Sequence, residues 1–149
     1  MNVDYTAVKR AVLRILKASP ELEDFHITGE IEPVSTELCP AILVAVVGFE
    51  KEVRLIRNFL SEDEGGPYEV RTQLALEAWV FSAQGTEDCM RQLQDATKKI
   101  EDIMARNVEL DGTVNQAVIT SGRMRFETGA GGGLYAACQL TLSALNIGV

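Results

Sequence analysis

Between Tyr5 and Ala18 the apolar residues Tyr5, Val8, Val12, Ile15 and Leu16 recur at helical spacing, and Asp4 stands where an N-cap belongs. Lys17 suits the negative end of that helix, and Ser19-Pro20 stops it or caps a further short helical turn. Residues 26–38 carry no period, and Pro33 restricts any strand around Ile31 to an edge or a break. After Cys39-Pro40 the β-branched run 41–49 predicts a strand covered on both faces or paired in the middle of a sheet. Residues 52–60 fit a strand through Val53 and Leu55 or a helix through Val53, Ile56 and Leu60, and the strand is favoured. Glu62 to Pro67 has the composition of an exposed loop.

Strict alternation takes over at residues 68–82. Val70, Thr72, Leu74, Leu76, Ala78 and Val80 form a core face; Arg71, Gln73, Ala75, Glu77, Trp79 and Phe81 form a face that begins polar and ends aromatic. A helix follows over 86–107, with Thr86 as its cap and Glu87 and Asp88 at its positive end. Cys89, Leu93, Ala96, Ile100, Ile103 and Met104 keep one stripe along it, with Arg91–Asp95 and Lys98–Asp102 as i, i+4 pairs on the wet side. Such pairs contribute about 0.2–0.5 kcal/mol, against roughly 1.5–3 kcal/mol for each large apolar side chain buried. Docking on a sheet must therefore hold this helix. Leu110-Asp111-Gly112 turns the chain into two more alternating runs, 118–128 and 134–145, joined by Gly129-Ala130-Gly131-Gly132-Gly133 as an antiparallel hairpin. The sum is one α+β domain over 1–149: a mixed, mainly antiparallel sheet of about four to five strands with helices packed on one face.

Composition narrows the function. Hydrophobic residues at 46% and charged residues at 24% describe a folded globule. No apolar run nears the ~20 residues of a membrane span. Met1-Asn2-Val3-Asp4 lacks the layout of a secretion signal, so an intracellular protein is expected. A net charge of −8 opposes tight binding of nucleic acid, yet suits a wall past which DNA slides. Basic residues collect in the first helix (Lys9, Arg10, Arg14, Lys17) and acids at 62–64, which are either solvated faces or patches for head-to-tail contact between copies.

Catalytic chemistry finds little footing. Cys39, Cys89 and Cys138 form no CxxC pair, and with His26 as the one histidine they suggest free thiols and no zinc site. His26 reads as an exposed loop residue, and a Cys39–His26 pair is the less favoured alternative. The glycines at 129–133 depart from the G-x-G-x-x-G spacing and precede a strand, so they predict a hairpin tip, flexible or ordered by a neighbour. Trp79 is either core or an interface anchor. Cofactor, metal and catalytic residues are all expected to be absent.

In order and pattern the chain resembles the tail terminator (tail completion) proteins of long-tailed phages. The likeness is carried by helix Tyr5–Ala18, Cys39-Pro40-Ala41-Ile42-Leu43-Val44, Thr72-Gln73-Leu74-Ala75-Leu76-Glu77-Ala78-Trp79-Val80, helix Thr86–Arg106, the Leu110-Asp111-Gly112 turn and the final strand pair. It implies a virion protein assembled in the host cytoplasm, monomeric in solution or closed as a homo-hexameric ring at the head-proximal end of the tail tube. There it stops tube growth, meets the tail tube protein and the head connector, and lets DNA pass without specific binding; no membrane is involved. Expected interface residues are Arg71, Trp79, Phe81, Arg123, Arg125, Gly131 and Gly132, with Arg71, Arg123 and Arg125 pairing across subunits to acids such as Glu77 or Glu127. Two other readings remain open: a different neck or tail-tube ring subunit, and a small-molecule-binding regulatory domain with a pocket between helix 86–106 and the sheet.

Overall fold

A computed structural model describes residues 3–32, 35–53, 66–129 and 132–149. Asp4 begins helix α1 (Tyr5–Ala18) by accepting a hydrogen bond from the Ala7 amide at 3.0 Å. Val8, Ala11, Val12, Ile15 and Leu16 are buried on one side of it, and Pro20–Leu22 then makes a single 3-10 turn. Strand β1 (His26–Thr28) lies in the segment expected to be irregular. Three residues are too few to display a period; what makes them a strand is parallel pairing with the start of β2 (Ala41–Val53).

The sheet has the order β1-β2-β3-β5-β4, with β3 (Tyr68–Ser82) at its centre and β5 (Leu134–Ile147) and β4 (Gln116–Thr128) beyond. All pairings except β1–β2 are antiparallel. This is the expected α+β class, a mostly antiparallel sheet with both helices on one face. The predicted core face of β3 is buried from Val70 to Val80, and Leu140, Leu142 and Ala144 of β5 extend it sideways.

The run at 41–49 departs from expectation. β1 reaches only Ala41–Leu43, so the outer edge of β2 is unpaired among the described residues from Val44 onward. Ile42 and Val44 are buried under α1, but a bulge between Val46 and Gly48 turns the strand outward, leaving Val47 61% and Phe49 54% exposed. The strand reading of residue 53 holds; residues 54–60 and the acidic loop at 61–64 lie outside the described residues.

Helix α2 (Thr86–Ala105) lies over β3 and β5 and buries the predicted stripe. Its cap is Gly85, at φ +119°, and Thr86 is the first helical residue. The expected wet-face pairs are replaced by Arg91–Asp88 at 3.8 Å and Lys99–Asp95 at 3.0 Å. An acid standing N-terminal to its base is the better order on a helix, and the predicted pairs had the reverse. Asp88 also binds Ser82 Oγ at 2.6 Å and Gln92 Nε2 at 2.8 Å, hydrogen bonds that hold its carboxyl below the usual value. It thus ties the end of β3 to the start of α2. The chain leaves α2 through Leu110, Asp111 and Gly112, all at positive φ. Leu110 is held in that disfavoured state by complete burial, while Asp111 binds Arg14 at 2.9 Å.

Two substitutions separate packing from polar satisfaction inside this core. Ile100→Ala removes a fully buried side chain and should cost about 2–5 kcal/mol in urea denaturation. Thr72 is equally buried, yet its hydroxyl has no hydrogen-bond partner among the described residues. Thr72→Val should therefore leave stability unchanged or raise it by about 1 kcal/mol, and a loss comparable to Ile100→Ala would show that the hydroxyl is satisfied.

Candidate subunit interface

Alternation puts the odd-numbered residues of β3 on the sheet face that carries no helix, and antiparallel registry aligns them with their neighbours. Trp79 of β3 lies beside Ala137 of β5, and Ala137 lies beside Arg125 of β4. The guanidinium of Arg125 reaches back over this row to stand 4.8 Å from the indole centroid. Glu77 Oε1 accepts from Trp79 Nε1 at 2.6 Å and from Arg125 Nη2 at 3.0 Å, and Arg125 Nε lies 3.6 Å from Glu127. Cation, ring and carboxylate thus close a circuit, each stabilised by the other two.

Glu77 and Glu127, named above as possible partners across subunits, pair with Arg125 within its own chain. Trp79 is only 7% exposed and forms the floor beneath Arg125. Phe81 packs on Tyr135 at 5.0 Å, and a Cβ at Gly133 would collide with its ring. Gly133 therefore lets the hairpin tip close over the aromatics, helped by the Gly129 amide donating to the Gly133 carbonyl at 2.7 Å. Gly132 sits in that tip at φ +87°, and Gly131 lies outside the described residues. A strand follows the glycines, as expected. Arg71 and Arg123 are exposed on the same open face, far apart along the sheet: Arg71 stands opposite Glu50 of β2, Arg123 opposite Gln139 of β5. Arg123 makes no ion pair among the described residues.

The structure adds residues that sequence patterning did not single out. On the helix side of β4, Met124 is 45% and Phe126 40% exposed, because α2 packs chiefly over β3 and β5. On β2, Phe49 stacks against Tyr5 at 5.5 Å with its outer side open. Period-2 alternation identifies a face but cannot say whether a helix arrives to cover it. That is why these positions were invisible beforehand.

Two concavities bear on the remaining readings. Glu101, Met104, Ala105, Val108 and residues 117–122 line a groove of about 520 Å³ between α2 and β4, where the small-molecule reading places its pocket. A smaller hollow of about 220 Å³ brings together His26, Glu32, Cys39 and Trp79. His26 belongs to β1 and not to a loop, and its Nε2 lies 3.0 Å from Glu32. Burial pushes the Cys39 thiol up, away from the thiolate a nucleophile needs. Among the described residues no group of three or more His, Cys, Asp or Glu side chains is placed to hold a metal ion, and no helix is long and apolar enough to cross a membrane. No known family model and no curated protein matches the chain.

As the sole tryptophan, Trp79 reports on the circuit directly. Arg125→Ala should uncover the indole, shifting its emission to the red and increasing quenching by acrylamide, with a stability loss of about 1 kcal/mol. An unchanged spectrum would mean that Arg125 does not cover the ring.

Proposed function

We propose that this chain is a structural virion subunit, a tail terminator. It closes into a hexameric ring on the head-proximal end of a phage tail tube, stops tube growth and offers a surface to the head connector. The observation that carries the reading is a pair of strand edges at opposite ends of one sheet that are unpaired among the described residues, β4 on one side and β2 beyond Leu43 on the other. A closed ring needs two different, complementary patches on every subunit, and two unlike edges supply them. Exposed rows of backbone donors and acceptors bordered by Phe49, Met124 and Phe126 are costly to leave in a free subunit and favour association. The pattern and order of elements, which resemble that family, point the same way. The net charge of −8 suits a channel through which DNA passes without being held. The same edges would serve another neck or tail-tube ring, and the particle end on which the chain is found separates the two.

The groove between α2 and β4 favours one reading of a different class, a ligand-binding regulatory domain. That reading requires thermal stability to climb with metabolite concentration. Under the proposed function, electron micrographs of particles made without the chain should show tails of excessive and variable length that take on no heads. Adding purified protein during assembly should restore uniform tails. Normal tail lengths in its absence would contradict the reading.

A further inference from the structure

Strand polarity restricts how a second copy can join the sheet. β2 runs antiparallel to β3, β3 to β5 and β5 to β4, so β4 runs opposite to β2. A copy placed beside the first in the same orientation therefore sets its β2 antiparallel to the first copy's β4, with both pairs of helices on the same side. That is the relation between neighbours in a ring, and no strand has to reverse to achieve it.

Side chains then select the register. On the open face β4 presents Arg123, Arg125 and Glu127, and β2 presents Gly48, Glu50 and Glu52. Only registers that keep open face against open face and helix face against helix face are allowed, so slips come in steps of two residues. One register sets Arg123 opposite Glu52 and Arg125 opposite Glu50, with Glu127 opposite Gly48. Slipping one way sets Glu127 against Glu50, a like-charge pair; slipping the other way sets Arg125 against Gly48 and leaves one charge pair. The favoured register also brings Phe126 against Phe49, already stacked on Tyr5, and Met124 against Lys51 on the helix side. Arg71, opposite Glu50 within its own chain, completes a row in which that acid lies between two arginines.

Resting on the ring reading above, we propose that copies of this chain join by antiparallel pairing of residues 123–128 of β4 with residues 47–52 of β2 in the next copy, in the register that matches Arg123 with Glu52 and Arg125 with Glu50. Arg123 has no ionic partner among the described residues of its own chain, and the neighbour's Glu52 provides one. Arg125 keeps Glu77 and still has donors to share, because a guanidinium carries five N–H groups. Backbone hydrogen bonds supply affinity, and the two charge pairs reject the wrong slips.

A charge exchange tests this. Arg123→Glu and Glu52→Arg should each weaken self-association by about tenfold or more, since each sets like charges directly opposite. Mixed in equal amounts, the two should assemble again, because every junction in an alternating ring is then complementary. Native mass spectrometry should find only even-membered rings holding equal numbers of each variant. Phe49→Cys with Phe126→Cys, in a Cys39→Ser background, should form an intersubunit disulfide under mild oxidant even where the resting protein is monomeric. Rings in which both variants assemble as well as the wild type, or in which mixing gives no rescue, would overturn the pairing and leave the ring reading standing. Weakening by Arg123→Glu alone would overturn it in favour of β4 pairing with β4 of a second copy. No oligomer on tubes or in solution, and no disulfide, would remove both the pairing and the ring.

Discussion

Backbone hydrogen bonding at a sheet's rim is the constraint on which the rest of this molecule turns. Every strand carries donors and acceptors on two sides, and among the described residues only β3 and β5 have a partner strand on both sides over most of their length. Among those residues β4 pairs on one side, and β2 pairs on its second side over three residues. Natural sheets usually blunt such edges with prolines, lysines or a covering helix. This one has a bulge in each edge strand and charges such as Lys51 and Arg123, yet it also borders the edges with Phe49 on one strand and Met124 and Phe126 on the other. Under the proposed function those edges are where a neighbouring copy joins.

The two faces of the sheet carry different contacts. The helix side holds the apolar core, where α1 and α2 bury their stripes against β2, β3 and β5, and it provides the free energy of folding. The open side carries the Arg125–Glu77–Trp79 circuit and the Phe81–Tyr135 contact, with Tyr135 also bonded to Thr36 at 2.8 Å. These contacts stiffen the hairpin that presents β4. In the proposed ring the edge would then meet its neighbour as a preformed strand, with little ordering entropy lost on joining.

Much of the fold was legible because its signals are local. The stripe of α2, the two faces of β3 and the hairpin around the glycines follow from spacing alone. What escaped was set by distant partners: β1 exists because it pairs with Ala41–Leu43, and β2 is half an edge because β1 is short. The candidate interface was legible in part. Arg123 and Arg125 could be picked from a charged strand face, but the capture of Arg125 by its own Glu77 depends on registry between β4, β5 and β3. Glu50 and Glu52 gave no warning, since an acid on a wet strand looks the same whether its edge is paired or open.

The most direct measurement is a cryo-electron microscopy reconstruction of the chain seated on a tail tube, at a resolution that traces strands. The account predicts one sheet running unbroken from subunit to subunit, β4 hydrogen-bonded to the next copy's β2 with Phe126 on Phe49. A ring held together through other surfaces, with both strand edges facing solvent, would contradict it.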